Sequence, residues 1–93
     1  RLEEDHTNAR ILAEGLNKIP HFKINMETVQ TNMVYIDYRG TGLSEQELIS
    51  KFADYGIKVD PDYPLIRMVT HYGITKKDIE FTIQSAKEIM MGG

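Results

Sequence analysis

Apolar residues return at three- and four-residue steps early in the chain, at Leu2, Ala9, Leu12, Ala13, Leu16 and Ile19. That period lays an apolar stripe along a helix over residues 2–19. Pro20 ends it, because the residue before a proline is pushed out of the α region. The period then drops to two. Residues 21–24 put Phe22 and Ile24 on one side of a pleat, and residues 31–38 carry Met33, Val34, Tyr35, Ile36 and Tyr38 with little polar interruption. A β-branched and aromatic run predicts a strand, and one so apolar predicts a central strand covered on both faces. Arg39-Gly40-Thr41-Gly42 reads as a turn.

Ser44 and Glu47 stand at capping-box spacing, with Leu43 and Leu48 able to staple across the helix start. Leu48, Ile49, Phe52 and Ala53 then form a second helical stripe, which Tyr55-Gly56 stops. Residues 57–59 read as a short strand, 60–64 as a loop with two prolines, and 65–69 as another strand. Thr75 and Asp78 repeat the capping spacing ahead of a third stripe, Ile79, Ile83, Ala86 and Met90, with Ile74 as the staple partner of Ile79. Aspartate reaches less far than glutamate, so the reciprocal half of this box is the weaker expectation. The order helix, strand, strand, helix, strand, strand, helix predicts an α+β fold. It would have a small three- to four-stranded, mostly antiparallel sheet with three helices packed on one face.

Ninety-three residues make one domain, 1–93, without repeat or linker, and a chain this short buries only about 60–65% of its unfolded surface. A formal charge of −3 leaves no basic stripe for nucleic acid. No apolar run reaches the roughly 18–20 residues that span a bilayer, so no membrane partner is expected. The absence of cysteine excludes a disulfide scaffold and thiolate metal sites, and fits a reducing, cytoplasmic compartment. The chain opens at Arg1 with Leu2 already in the helical pattern, which reads as a fragment of something longer.

Candidate chemistry is sparse. Serines stand at Ser44, Ser50 and Ser85, the first better explained as a cap, and no Gly-x-Ser-x-Gly elbow exists. His6, His21 and His71 lie in three different elements without metal-ligand spacing. Glu3, Glu4 and Asp5 suit the positive end of a helix, and Asp60 and Asp62 suit a turn better than a calcium site. The Arg39–Gly42 turn lacks the rest of a phosphate-loop fingerprint. Lys18, Lys23, Lys51, Lys58, Lys76, Lys77 and Lys87 are scattered as on a solvated surface. Arg67 differs, because it interrupts an apolar strand, Leu65-Ile66-Arg67-Met68-Val69. Either it sits on the exposed face of an edge strand, which composition alone favours, or its planar fork is aimed at a carboxylate.

Arg67-Met68-Val69-Thr70-His71 resembles the Arg-x-Val-Thr-His segment near the C-terminus of threonine aldolases, a branch of the fold-type I pyridoxal-phosphate enzymes. Three further regions resemble that family in the same order. One is the Arg1 to Leu16 helix with Asp5-His6, another is Val29-Gln30-Thr31-Asn32-Met33-Val34, and the last comprises the starts at Gly42-Leu43-Ser44 and Thr75-x-x-Asp78-Ile79. The resemblance implies the C-terminal small domain of an enzyme that cleaves threonine or allo-threonine to glycine and acetaldehyde, in threonine breakdown and glycine formation. It implies that pyridoxal 5'-phosphate, its lysine and its other partners belong to a large domain outside this chain, with none bound by the fragment alone. It also implies a homo-oligomeric full-length enzyme, an amino-acid substrate, and Arg67 as the residue that binds the substrate carboxylate. His71 is expected to serve the loop rather than the site. The fragment by itself would be inactive. Two other readings compete: a free-standing interaction or amino-acid-sensing module, and the small domain of a related β-eliminating lyase.

Overall fold

The computed structural model describes residues 2–29, 33–69 and 75–91. Three α-helices and a three-stranded antiparallel sheet follow the order α1 (Leu2–Asn17), β1 (Met33–Asp37), α2 (Glu45–Asp54), β2 (Asp60–Asp62), β3 (Leu65–Val69) and α3 (Lys76–Met90). The sheet order is β1-β3-β2. This is the α+β layout expected of the sequence, with corrections that follow from where the core lies.

Val34 and Ile36 on β1 and Ile66 and Met68 on β3 turn to one side of the sheet and are buried. Leu12, Ala13 and Leu16 of α1, Leu48 and Phe52 of α2, and Ile79, Ala86 and Ile89 of α3 complete the same core. Each large apolar side chain buried there contributes about 1.5–3 kcal/mol. Helices α1 and α3 pack on each other close enough that Gly15 faces Ile83.

The local signals act where the sequence puts them. Both capping boxes close in both directions: Ser44 Oγ accepts from Glu47 N–H at 3.1 Å, and Glu47 Oε1 accepts from Ser44 N–H at 3.1 Å. The shorter aspartate also suffices, since Thr75 N–H donates to Asp78 Oδ2 at 2.9 Å. The staple residue Ile74 lies outside the described residues.

The differences are instructive. Helix α1 stops at Asn17 rather than Ile19, because Lys18 and Ile19 turn tightly onto the carbonyls of Gly15 and Leu16. The strand expected over 21–24 shrinks to a single bridge between Lys23 and Asp37, since His21 adopts a left-handed φ of 75°. The expected strand over 31–38 forms as Met33–Asp37, with residues 31 and 32 outside the described part. It lies at an end of the sheet order, not at the centre, and only alternate residues are fully buried. With every helix on one side, Met33, Tyr35 and Asp37 keep an outward face that nothing covers completely. Finally, the strand expected at 57–59 forms instead at Asp60–Asp62, inside the expected loop. Pro61 is tolerated there because β2 is an edge strand. Tyr63 and Pro64 then make the turn into β3.

Candidate functional site

Strand β3 takes the bounds its apolar pattern predicts, Leu65–Val69, and occupies the middle of the sheet. Alternation sends Ile66 and Met68 into the core and leaves Leu65, Arg67 and Val69 on the outward face. Arg67 is therefore on an exposed face, but of the central strand rather than an edge. Its register partners are Tyr35 on β1 and Asp60 on β2, so the three residues form one row across the sheet. Asp37 uses its N–H and carbonyl on Lys23, at 2.8 and 3.1 Å, which turns those groups away from β3. Alternation along β1 then makes Tyr35–Arg67 a non-hydrogen-bonded pair, the type in which opposing side chains come closer.

Arg67 Nη2 stands 3.5 Å from Asp60 Oδ2, with the two side chains 37% and 33% exposed. Charge-assisted N–H···O bonds are typically about 2.7–2.9 Å, so this contact is loose. Arg67 Nε is buried and has no hydrogen-bond partner among the described residues. A nearby pair shows the closed alternative. Arg39 donates from Nε to Asp37 Oδ1 at 3.0 Å and from Nη2 to Oδ2 at 2.7 Å, and its backbone N–H donates to Oδ1 at 3.1 Å. Those bonds hold the Asp37 carboxyl at a pKa of about 2, below its ordinary 3.8. Arg39 is thus engaged on its own neighbour, whereas the one ion pair of Arg67 among the described residues is the long contact to Asp60. Two hollows touch the ends of the row without being lined by Arg67: Asp60 borders one of about 690 Å³ that reaches Leu12, Met68 and Phe81, and Tyr35 borders one of about 360 Å³ shared with Lys23 and Asp37.

The other candidates do not assemble. Ser44 is the cap of α2, Ser50 is exposed on that helix, and Ser85 is buried within α3. Among the described residues, no three His, Asp or Glu side chains are grouped to hold a metal ion. His21 is exposed beside the Lys23 bridge, and His71 lies outside the described residues. Lys18, Lys23, Lys58, Lys76, Lys77 and Lys87 are exposed and Lys51 is half-buried, so none is the desolvated amine that Schiff-base chemistry uses. The turn at Arg39–Thr41 is a short 3₁₀ segment whose arginine is taken by Asp37. No helix among the described residues is long and apolar enough to cross a membrane. The sequence singles out Arg67 but not its neighbours: Asp60 reads as a turn residue and Tyr35 as core, because register across strands is not written in a local pattern.

No protein-family model matches the chain. It is 35% identical over 91 residues, 96% of its length, to a protein of Arabidopsis thaliana described as a probable low-specificity L-threonine aldolase 2. The low-specificity L-threonine aldolase 1 of the same plant is 32% identical over 93 residues, 98% of the chain. The chain is a relative of the threonine aldolases. It spans about a quarter, 26%, of the length of each of these proteins. The fold is shared with the NifS-like protein of Rickettsia africae at a TM-score of 0.69 and 22% identity, over 92% of this chain and 29% of that one. The Arg-x-Val-Thr-His segment on which the threonine aldolase resemblance rests begins at Arg67, on the outward face of β3. Its Thr70 and His71 lie outside the described residues.

Proposed function

We propose that this chain is the small domain of a pyridoxal-phosphate-dependent threonine aldolase, and that Arg67 binds the α-carboxylate of the amino-acid substrate. The observation that carries this reading is the placement of Arg67 on the outward face of the central strand, partly exposed and held by one long contact to Asp60. Arg67 has no covalent task. Its planar fork can hold a carboxylate through two parallel N–H···O bonds, which fixes rotation about the substrate's Cα. That fixation sets which Cα bond stands ready to break. A site on the central strand of a packed sheet keeps the fork from wandering, and misplacement of about 1 Å can cost about 100-fold in rate.

On this reading pyridoxal phosphate and its lysine lie outside this chain. In the whole enzyme that group would supply the electron sink for carbon–carbon cleavage, held by the large domain of the same protein. The relatives' names favour L-threonine as the substrate; the reading extends to L-allo-threonine and to a homo-oligomeric, cytoplasmic full-length enzyme. The test is Arg67→Ala in the full-length protein. KM for L-threonine should rise about 100-fold, the size expected when a two-bond charged contact is removed. Arg67→Lys, which keeps charge but loses the fork, should fall between. An unchanged kcat/KM in Arg67→Ala removes Arg67 from the site.

A further inference from the structure

We propose that Asp60 is the positioning residue of this site: it holds the Arg67 guanidinium through Nη2, so that Nη1 and Nη2 are presented to the carboxylate. The inference rests on the reading of Arg67 as the carboxylate-binding group. Nε and Nη2 share one edge of the guanidinium, whereas Nη1 and Nη2 share the other. Among the described residues Asp60 is the carboxylate within ion-pair reach of Arg67, and it stands on Nη2 at 3.5 Å. It is also the direct register partner of Arg67 across β2 and β3, so the two backbones are locked and only side-chain rotation separates them.

The Asp37–Arg39 fork shows what a complete side-on engagement looks like in this same domain, at 3.0 and 2.7 Å. Asp60 makes one longer contact, to Nη2 alone, at 3.5 Å. The unpartnered Nε lies on the same edge of the guanidinium and is buried, out of reach of an arriving ligand. A ligand carboxylate therefore meets Nη1 and Nη2, while Asp60 sets the plane in which those nitrogens lie. Asp60 also borders the hollow of about 690 Å³, so its other face remains next to open space rather than core. Being half-exposed on an edge strand, it can be replaced without opening the core.

The experiment uses Asp60→Ala, Asp60→Asn and Arg67→Ala in the full-length protein, with two readouts. The first is the kinetics with L-threonine. Asp60→Ala should raise KM about 5- to 10-fold with kcat within about twofold, and Asp60→Asn, which keeps an acceptor, should recover most of the loss. The second readout does not depend on activity: labelling of Arg67 by phenylglyoxal, followed by peptide mass spectrometry, with exposed Arg10 as the reference. Asp60→Ala should speed labelling of Arg67 about threefold relative to Arg10, because a restrained edge is released. An unchanged or lowered KM, or an unchanged labelling ratio, overturns the positioning role. Arg67→Ala separates the two proposals. If it raises KM about 100-fold while Asp60→Ala does nothing, only the role of Asp60 falls. If Arg67→Ala itself is silent, the carboxylate reading falls with it.

Discussion

Replacing Gly15 by alanine pits two opposing effects of known size against each other. Gly15 lies inside α1, where alanine is favoured over glycine by about 1 kcal/mol. A Cβ built there would run into Ile83 of α3: the Cδ1 methyl falls inside van der Waals contact, Cγ1 would lie at 2.9 Å and Cγ2 at 3.4 Å. A terminal methyl alone could turn aside. Two of these three carbons sit on the branched Cβ of a helical isoleucine, which has one strongly preferred rotamer, so the helices must part instead. Overpacking of this kind costs about 1–3 kcal/mol, which outweighs the propensity gain. Gly15→Ala should therefore destabilise the chain by about 1 kcal/mol, lowering Tm by about 4–8 °C. In an Ile83→Ala background the obstruction is gone, and the same substitution should stabilise by about 1 kcal/mol. Urea unfolding of the four variants gives the coupling directly, expected near 2 kcal/mol. The same sign in both backgrounds would refute the claim that α1 and α3 are set by this contact.

Three other expectations follow from the same geometry. Phe52→Ala, at a fully buried position of α2, should cost about 3–5 kcal/mol in chemical denaturation. Ser44→Ala and Thr75→Ala each remove a cap that satisfies a helix N-terminal N–H, and each should cost about 1 kcal/mol, with loss of helical circular dichroism on heating. The Asp37 carboxyl has a folded pKa of about 2, below its ordinary value, so its contribution is present above pH 4 and lost as pH falls from about 4 towards 2. Asp37→Asn should flatten stability against pH in that window. The loss at neutral pH should stay near 1 kcal/mol or below and shrink with added salt, because Arg39 is largely exposed.

The sequence carries the helices and the strand that holds Arg67 through signals that act within a few residues. Stripe spacing, two capping boxes and the apolar frame around Arg67 all depend on neighbours three or four positions away, and the structure follows them closely. What it hides depends on distant partners. The apolar run at Met33–Asp37 looks central, yet its neighbour on one side is a single bridge at Lys23, because residue 21 turns into the left-handed region. Asp60-Pro61-Asp62 looks like a loop because none of its residues favours a strand. It becomes a strand because β3 offers an unpaired side and an edge tolerates proline. That shift decides the site: a slip of one residue in register would send Asp60 to the other face. Arg67 was legible as an anomaly, whereas its row with Tyr35 and Asp60 exists only once the strands pair.

The most direct test of the account is a substrate–residue cycle on the full-length protein, comparing L-threonine with L-threoninamide in the wild type and in Arg67→Ala. The amide keeps the amino and hydroxyl groups and lacks the carboxylate charge. If Arg67 binds that carboxylate, the wild type should prefer threonine in kcat/KM by about 100-fold, and Arg67→Ala should reduce the preference to about fivefold or less. Retention of the full preference in Arg67→Ala would contradict the account, because the carboxylate would then be recognised elsewhere.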